Sequence, residues 1–596
     1  MEALILAAGI GRRMWPLSRD THKCLLRVGG ETILGRMLRG LVEVGIEKVA
    51  IVTGYRADEI ESYAREHFPE IAFTFVRNER YETTNNIYSM HLALEALDLE
   101  DDVLLIESDL VVAPGVLAKA MDNRHDNVAL VSPHVIGLDG TVVELDASTR
   151  IKSVVTPSMQ SSDFEFSGTY KTLNIYKFSR ELCRTTLRQL LRFYVESIDA
   201  NAYYELVLGI LIYLKQVDVH GVVVDPYTWA EIDDPNDLHG AEWVFNPPRR
   251  RAMLDAAWGG MWTVPVVDFA FLRNMYFPTP AVLSELRRNL PDLLASYGST
   301  QSIVDAKLSY FLGCDPAHVV ALNGASQCFP LLGAYFGDRR VLLPEPTFGE
   351  YRRVFPRADA YVDACSIAVD ALAARAKEYD LVVVVNPNNP TGTTVPTSAL
   401  LELVRAERRT TWLVDESFLL FSGEESLVTA IAKDPGAYEH VIVLQSLSKT
   451  LGVPGARLGF LFNTGVWANK TREQLPVWNM NSVAENLLEI IVKHRPELAS
   501  SLQRSAADRV HLARTLRELR GVERVVAGGG NFVLVELALS SEETARLADR
   551  LAKEGIYVKD VSAKMKSGRG WLRLAVRTPS DHERLARALQ AGLTAS

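Results

Sequence analysis

Cysteine is scarce in this chain, with five residues among 596, at scattered positions and without a Cys-x-x-Cys pair. An odd number of irregularly spaced cysteines argues against a disulfide-stapled scaffold and against a cysteine-ligated zinc site. Free thiols suit a reducing compartment, so the sequence predicts a cytoplasmic protein.

The chain also lacks a long apolar run and an excess of positive charge. Its longest apolar run, residues 206–214, is too short to cross a bilayer. The apolar start is preceded by Glu2 and followed by arginines, which is the reverse of a secretory signal. Acidic residues outnumber basic ones by 74 to 64. We therefore predict no membrane or nucleic-acid partner, and any anionic ligand is expected to be small and locally held.

Strand and helix patterns alternate through both halves of the chain. In the first half, apolar strands at 3–9, 48–55 and 102–112 are separated by helical patterns at 33–46 and 88–97. This alternation predicts α/β domains with mainly parallel sheets, and such sheets bind ligands at the carboxyl ends of their strands.

The length of the chain suits two large domains. The segment around 244–262 contains Pro-Pro, three arginines and Gly-Gly, a composition typical of a linker. We therefore predict an N-terminal domain at 1–245, a linker at 246–262 and a C-terminal domain at 263–596. The last part of that domain reads as a small α+β subdomain.

The first strand runs into a glycine turn that is rich in basic residues. Glycines let the backbone approach a phosphate, and the amides at the following helix start donate hydrogen bonds to it. The residues predicted to bind a nucleotide here are Leu6, Ala7, Ala8, Gly9, Gly11, Arg12 and Arg13. A tight turn without a ligand is the alternative for this segment alone.

A lysine and two distant aspartates accompany the turn. Asp109 and Asp233 are candidate ligands for a Mg²⁺ ion that bridges triphosphate oxygens. Lys23 and Arg13 are candidates to offset charge as pyrophosphate leaves. Asp233 has an alternative role as a helix cap before Pro235.

These residues give the N-terminal half a specific resemblance. The stretch from Leu6 to Leu34 and the late Glu231-Ile232-Asp233-Asp234 segment resemble the sugar-nucleotide pyrophosphorylase superfamily. The Thr-His-Lys at 21–23 and YETTNNIYS at 81–89 resemble its phosphocholine and aminoalkylphosphonate cytidylyltransferase branch. The resemblance covers about residues 1–240. It implies a Rossmann-like nucleotidyltransferase domain, CTP as donor and a small phosphate or phosphonate acceptor bearing an amine, with Lys171 as an acceptor-anion contact.

Four separated signals in the C-terminal half suit pyridoxal 5'-phosphate. Asn389 lies in a loop after an apolar strand, Asp415 ends the next strand, Lys449 follows a further strand, and Arg457 comes eight residues later. A lysine amine can hold the cofactor, an aspartate can keep its ring nitrogen protonated, and hydroxyls with an arginine can bind its phosphate.

The ordered set resembles the class I and II aminotransferases of fold type I, over roughly residues 265–596. The resemblance implies that Lys449 carries the cofactor, Asp415 pairs with its ring nitrogen, Asn389 bonds its ring oxygen and Arg573 grips the substrate carboxylate. It implies further cofactor contacts and a homodimer in which Tyr297 reaches the neighbouring subunit's site. Those further contacts are Ser446, Ser448, Arg457, Phe348, Ala325 and Ser326.

One departure bears on the reaction. Histidinol-phosphate aminotransferases carry a tyrosine three residues after the aspartate, where this chain has Phe418. The related threonine-phosphate decarboxylases resemble the chain better there and at Phe348. This resemblance favours decarboxylation over transamination, although a phenylalanine at 418 can also simply pack.

Together the halves resemble the bifunctional cytidylyltransferase–decarboxylases of aminopropylphosphonate antibiotic biosynthesis. That resemblance implies CMP transfer from CTP to an acid like 2-amino-4-phosphonobutyrate and loss of its α-carboxylate. One alternative is a cytidylyltransferase fused to a transaminase of aminoethylphosphonate or of a phosphorylated amino acid. Another alternative is a non-catalytic nucleotide sensor fused to the second domain. The presence of Lys23, Asp109 and Asp233 argues against this alternative.

Overall fold

A computed structural model describes residues 1–135, 138–161, 164–261 and 264–594. The chain divides into two compact units, Met1–Val264 and Pro265–Ser596. The segment predicted as a linker contains a short helix, Arg250–Ala257, which lies within the first unit. The described residues include no helix long and apolar enough to cross a membrane.

The strands and helices of the first unit alternate through most of its length. The strands are β1 (Glu2–Ala7), β2 (Arg27–Val28), β3 (Glu31–Thr32), β4 (Lys48–Thr53), β5 (Ala72–Arg77), β6 (Val103–Glu107), β7 (Leu110–Val112), β8 (Val128–Pro133), β9 (Val142–Leu145), β10 (Ile151–Val155), β11 (Tyr170–Phe178), β12 (His220–Val223) and β13 (Trp229–Glu231). The α-helices are α1 (Ile33–Glu43), α2 (Ala57–His67), α3 (Asn86–Ala96), α4 (Val116–Met121), α5 (Arg180–Leu182), α6 (Arg188–Ser197), α7 (Tyr204–Tyr213), α8 (Pro235–Phe245) and α9 (Arg250–Ala257).

The main sheet of the first unit is mixed. Strands β6, β1, β4 and β5 lie side by side and are parallel, whereas β11 joins β6 antiparallel. Along β1, Ala3 and Ile5 face one hydrophobic cluster and Leu4 and Leu6 face another. A strand buried on both faces reads as a continuous apolar run, which is why the first strand was easy to predict.

The apolar segment 102–112, predicted as one strand, is two strands. It breaks at Ser108 and Asp109, and β7 leaves the main sheet to pair antiparallel with β13. The prediction of a single strand is wrong because both pieces are buried, and a continuous apolar run does not reveal a change of partner. The break has a consequence for the site, since the backbone amide of Ile232 donates to the carbonyl of Asp109 at 3.0 Å.

The second unit contains a large sheet and a smaller terminal one. Its strands are β14 (Val267–Asp268), β15 (Val319–Asn323), β16 (Val341–Glu345), β17 (Asp359–Val362), β18 (Leu381–Val385), β19 (Thr411–Asp415), β20 (Val441–Gln445), β21 (Leu458–Phe462), β22 (Val522–Val526), β23 (Phe532–Ser540), β24 (Ile556–Tyr557), β25 (Lys559–Asp560) and β26 (Arg569–Ala575). The α-helices are α10 (Pro280–Ala295), α11 (Gln301–Leu312), α12 (Cys328–Phe336), α13 (Gly349–Val354), α14 (Val369–Ala376), α15 (Thr397–Ala406), α16 (Leu427–Ile431), α17 (Leu447–Thr450), α18 (Val466–Glu473), α19 (Ser482–Lys493), α20 (Arg495–Arg517), α21 (Ser541–Lys553), α22 (Ser562–Met565) and α23 (Pro579–Thr594).

The large sheet has the order β15-β21-β20-β19-β18-β16-β17, and only β21 runs against its neighbours. Strands β18, β19 and β20 are adjacent and parallel, so their carboxyl ends meet at one edge. The segments after these three ends carry Asn389, Asp415 and Lys449. The small sheet, β22-β23-β26-β25, is antiparallel and forms the predicted terminal α+β part.

Candidate active sites

A cavity of about 880 Å³ lies at the carboxyl ends of the parallel strands in the first unit. Most of the residues predicted to bind nucleotide and metal line it, whereas Ala7 is buried in β1 and is not among the described lining residues. The predicted residues that line it are Leu6, Ala8, Gly9, Gly11, Arg12, Arg13, Lys23, Asp109, Lys171 and Asp233. The structure therefore brings together side chains up to 227 positions apart.

Gly11 shapes the turn above this cavity. Its φ is +64°, a left-handed conformation that favours glycine, and a Cβ atom there would lie 3.3 Å from the Lys23 Cβ. The turn and Lys23 can therefore pack closely. His22 holds the same segment from behind, with Nε2 3.0 Å from the Gly9 carbonyl oxygen and Nδ1 3.0 Å from the Cys24 sulfur. Burial lowers the pKa of His22 to about 4, so the ring is neutral.

Lys23 stands between the two aspartates. Its Nζ lies 2.7 Å from Asp109 Oδ2 and 3.1 Å from Asp233 Oδ1, and Arg13 reaches Asp233 Oδ2 at 2.8 Å. Burial alone would lower the pKa of Lys23, but the charges of Asp109 and Asp233 raise it above its ordinary value. The two carboxylates thus converge on one cationic position, and the other oxygen of Asp109 has no hydrogen-bond partner among the described residues.

This donor set fits Mg²⁺ held in part by substrate. No group of three or more His, Cys, Asp or Glu residues in the described chain is arranged to hold a metal ion. Mg²⁺ is commonly bound by one or two carboxylates together with substrate phosphates. Asp109 and Asp233 are the two carboxylates that can hold it here.

The helix-cap alternative for Asp233 does not describe the structure. Asp234 is the N-cap of α8, and its side chain accepts from the amides of Asn236 and Asp237. Asp237 completes the capping box by accepting from the amides of Asp233 and Asp234. The neighbours therefore cap the helix, and the Asp233 carboxylate contacts Lys23 and Arg13.

One side of the cavity is rich in glutamate, a feature that the sequence did not point to. Glu107, Glu205 and Glu231 come from β6, α7 and β13 and all line it. Lys171, predicted to contact an anion, is 2% exposed and pairs with Glu231 at 3.0 Å. Burial alone would lower the pKa of Lys171, but the Glu231 charge raises it.

A second cavity, of about 180 Å³, lies at the carboxyl edge of the large sheet in the second unit. Its described lining includes most of the predicted cofactor contacts. They are Ala325, Ser326, Phe348, Asn389, Asp415, Ser446, Lys449 and Arg457, and Phe418 lines the cavity beside them.

Lys449 is the amine of this cavity. Its Nζ lies 4.1 Å from the centre of the Phe418 ring and 5.9 Å from that of Phe348. Burial, together with the charges of Arg573 and Arg457, lowers the pKa of Lys449 to about 8. A substantial fraction of this amine is therefore neutral near pH 8, as a nucleophile requires.

Asp415 is held in a fixed orientation at the end of β19. Its Oδ2 accepts from the buried Tyr351 hydroxyl at 2.8 Å, and its Oδ1 accepts from the Ser417 amide at 2.9 Å. Neither Tyr351 nor Ser417 is among the residues predicted for this site. Tyr351 lies 64 residues before Asp415, and no local pattern joins the two.

The phosphate side of the cavity is formed by the turn after β15 and by Arg457. Arg457 Nη2 donates to Ser326 Oγ at 2.8 Å. A Cβ on Gly324, whose φ is +77°, would lie 2.5 Å from the same Nη2, so glycine is what allows the guanidinium to approach the turn. This cradle of amides, hydroxyls and a guanidinium fits the phosphate of pyridoxal phosphate.

Three predicted contacts lie outside the described cavity lining. Ser448 Oγ donates to the Leu458 carbonyl at 3.0 Å and accepts from its amide at 2.7 Å, so its hydroxyl is already engaged. Tyr297 is 81% exposed and stacks on Trp478 at 4.6 Å between ring centres. The Arg573 guanidinium donates a hydrogen bond to Asn389 Oδ1 at 2.8 Å.

Family models match both units. Residues 267–590 match the aminotransferase class I and II family, whose members use pyridoxal phosphate, and residues 3–147 match the MobA-like NTP transferase domain. The first match covers more than half of the chain. This family match agrees with the strand order of the large sheet and with the presence of Lys449 and Asp415 in the second cavity.

Relatives match the chain in part and in full. A histidinol-phosphate aminotransferase of Chlorobaculum tepidum is 29% identical over 46% of this chain and 76% of its own length. The crystal structure of an L-threonine-O-3-phosphate decarboxylase from Porphyromonas gingivalis, 21% identical, shares the fold with a TM-score of 0.50, over 55% of this chain and all of that one. A CMP-5'-(3-aminopropyl)phosphonate synthase of Streptomyces rubellomurinus is 30% identical over 98% of this chain and 94% of its own length.

These matches confirm the α/β fold class, with a nucleotidyltransferase domain followed by a fold-type I domain, and show that the protein is a bifunctional enzyme. By its second unit the chain belongs to the class I and II aminotransferases, and over nearly its whole length it belongs to the family of CMP-5'-(3-aminopropyl)phosphonate synthase.

Proposed function

We propose that the enzyme transfers CMP from CTP to a small aminophosphonic acid such as 2-amino-4-phosphonobutyrate and removes its α-carboxylate with pyridoxal phosphate. The product would be CMP-3-aminopropylphosphonate. The observation that carries the proposal is one chain with two cavities, one holding the Lys23, Asp109 and Asp233 set and the other holding Lys449 with Asp415. The relative of similar length, named for CMP-5'-(3-aminopropyl)phosphonate, supports the product.

In the first unit, a phosphonate oxygen of the acceptor attacks the α-phosphorus of CTP, and the bond to pyrophosphate breaks. Asp109 and Asp233 would hold Mg²⁺, which would supply positive charge that stabilises the triphosphate. Lys23, released from the two aspartates, and Arg13 are placed to offset the charge that develops on pyrophosphate.

In the second unit, Lys449 would hold the cofactor, Asp415 its ring nitrogen, and Ser326, Ser446 and Arg457 its phosphate. Bound pyridoxal phosphate supplies an electron sink for the charge left on Cα when a bond to that atom breaks. Arg573 donates to Asn389 Oδ1, so the Asn389 Nδ2 group would be the one to donate to the cofactor's ring oxygen. Ser448 instead fixes the backbone at Leu458.

Phe418 favours loss of the carboxylate over transamination. It lies against the Lys449 amine, at 4.1 Å, where a tyrosine would add a hydroxyl donor beside the ring oxygen. The absence of that hydroxyl changes how protons are handled near Lys449. Membership of the aminotransferase family keeps transamination as the second candidate.

Carbon dioxide release separates the two reactions. The CMP-linked amino acid is supplied without any oxo acid, and carbon dioxide is followed over many turnovers. A decarboxylase regenerates its cofactor, so we expect release to continue. Activity that stops after one turnover, without carbon dioxide, and resumes when an oxo acid is added would identify a transaminase.

A further inference from the structure

A buried asparagine closes the short helix that carries Lys449. Asn274 lies in the segment between β14 and α10 and is 2% exposed. Its backbone amide donates to the Lys449 carbonyl at 2.9 Å, and its side-chain Nδ2 donates to the Thr450 carbonyl at 2.9 Å. The last carbonyls of a helix have no partner within the helix, and Asn274 supplies a donor to each of the last two carbonyls of α17.

The Asn274 side chain is itself fixed by other elements. Its Nδ2 also donates to Ser501 Oγ at 2.8 Å, and its Oδ1 accepts from the Tyr276 amide at 2.9 Å and from the Ser505 hydroxyl at 3.5 Å. Ser501 and Ser505 are buried residues of α20. Both donors and the acceptor of the amide are therefore engaged, and a fully satisfied buried network of this kind is rigid. The side chain joins α17 to α20 in one orientation.

The residues on both sides of Lys449 are held by groups outside α17. Asn274 bonds the Thr450 carbonyl, and Ser448 Oγ bonds the amide and the carbonyl of Leu458. The backbone at Asn274 also packs directly against the turn after the helix, where a Cβ on Gly452 would lie 2.7 Å from the Asn274 carbonyl oxygen. The main chain that carries Lys449 is therefore fixed from two directions.

A fixed main chain matters because the Lys449 amine is buried at the end of a flexible four-carbon stem. Its Nζ lies over the Phe418 ring, and burial is the largest cause of its lowered pKa. Burial lowers the pKa of a lysine only while the amine stays out of water. A helix end that loses its outside partners opens more readily, which would let water reach the amine.

We propose that Asn274 is a positioning residue for Lys449, because it holds the end of α17 so that the buried amine faces the cofactor site. This inference rests on the proposed function, in which Lys449 holds the cofactor. Asn274 is not among the described lining residues of the second cavity. It therefore acts through the main chain of α17 and not by contact with cofactor or substrate.

The pH dependence of cofactor uptake tests this role. The rate at which the apoprotein takes up pyridoxal phosphate is measured from pH 6 to 10 for the wild type and for Asn274→Ala. We expect the midpoint of the profile to rise from about pH 8 by at least one pH unit, and uptake at pH 7 to fall at least tenfold. An unchanged midpoint in the folded variant would overturn the role of Asn274 alone. A wild-type protein that takes up no cofactor would contradict the proposed function as well.

Asn463→Ala is the matched control, because Asn463 is an equally buried asparagine after β21. Its side-chain partners, at 2.8–3.0 Å, are the carbonyls of Glu439 and Val441 and the amides of Gly465 and Trp467. Val441 begins β20, so this network lies at the opposite end of that strand from Lys449. We expect Asn463→Ala to lower the melting temperature as Asn274→Ala does and to keep the wild-type midpoint. An equal shift of the midpoint in both variants would show a general effect of lost stability and overturn the proposal.

A milder variant decides the question if Asn274→Ala does not fold. Ser501→Ala keeps the bond from Asn274 to Thr450 and removes the Ser501 hydroxyl that anchors Asn274 to α20. We expect the midpoint of cofactor uptake to rise by about half a pH unit. A folded Ser501→Ala variant with the wild-type midpoint would then overturn the proposal.

Discussion

At the scale of single residues, distance along the chain decides what a sequence reveals. Lys23, Asp109 and Asp233 were predictable because each lies in a distinctive local segment. Glu205 was not, because it lies in an apolar helix almost one hundred residues after Glu107, and only the fold brings the two together. Ser448 shows the reverse case, since its segment suggested a phosphate contact and its hydroxyl bonds the backbone of Leu458 instead.

Removing the Asp109 carboxylate tests the first site. We expect Asp109→Ala to reduce pyrophosphate release from CTP by about 100-fold or more, because the Mg²⁺ ion that we propose for this site would lose one of its two carboxylate ligands. The absorbance of bound pyridoxal phosphate should be unchanged. Asp126→Ala, at an exposed position, is the control. Full activity of Asp109→Ala would place the metal site elsewhere, and a preference for ATP or UTP would remove the cytidylyltransferase assignment.

The lowered pKa of Lys449 gives a pH dependence. Below about pH 8 the amine is mostly protonated, and the neutral fraction falls tenfold for each further pH unit. We therefore expect the rate of cofactor uptake by the apoprotein to rise with pH up to about 8 and then to level off. Stopped-flow absorbance from pH 6 to 10 measures this rate. A rate that keeps rising to pH 10 would show that the pKa of Lys449 is that of an ordinary lysine, which contradicts the lowered value.

At the scale of elements, the alternation of strand and helix patterns predicted the two large sheets. It did not predict the breaks and loops that position the site residues. The strand predicted at 102–112 is broken at Asp109, and that break brings Asp109 beside β13. Periodicity records whether a residue is buried but not which strand it pairs with. The loop after β18 depends in the same way on a residue outside its own motif, Asp363.

Asp363 holds the loop that carries Asn389. It is 1% exposed, and its carboxylate accepts from Asn388 Nδ2 at 2.7 Å and from the hydroxyls of Thr391 and Thr393 at 2.9 and 2.6 Å. In Asp363→Asn, an NH2 donor replaces one of the two acceptor oxygens and faces other hydrogen-bond donors. We therefore expect the second unit to lose about 2–4 kcal/mol of unfolding free energy. Denaturant titration followed by cofactor absorbance measures the loss. Asp338→Asn, at an exposed position, should cost under about 0.5 kcal/mol. Equal stability of the two variants would contradict this role.

At the scale of the whole molecule, the second unit carries an exposed apolar surface. Tyr297, Trp478, Val477 and Leu294 are between 57% and 81% exposed. Large exposed apolar side chains of this kind are typical of an interface, and the resemblance to aminotransferases implies a homodimer there. We propose that this surface joins two copies of the chain.

Charge at this surface tests the dimer. We expect the wild-type enzyme to sediment at twice the chain mass of 66.2 kDa and the Trp478→Glu variant to shift toward the single chain. The reason for the shift is that dimer formation would bury the new carboxylate in an apolar interface, which is energetically costly. Val466→Glu, another exposed apolar position in the same unit, is the control and should stay dimeric. A monomeric wild-type enzyme would contradict the interface.

Product analysis tests the central claim most directly. The wild-type enzyme and Lys449→Ala are each incubated with CTP, Mg²⁺ and 2-amino-4-phosphonobutyrate, and the products are read by mass spectrometry. We expect the wild type to form pyrophosphate, carbon dioxide and CMP-3-aminopropylphosphonate. Lys449→Ala should stop at the CMP-linked amino acid, because Lys449 belongs to the second cavity and the metal candidates to the first. A CMP-linked product that retains its carboxylate in the wild type, or no CMP-linked product at all, would contradict the account.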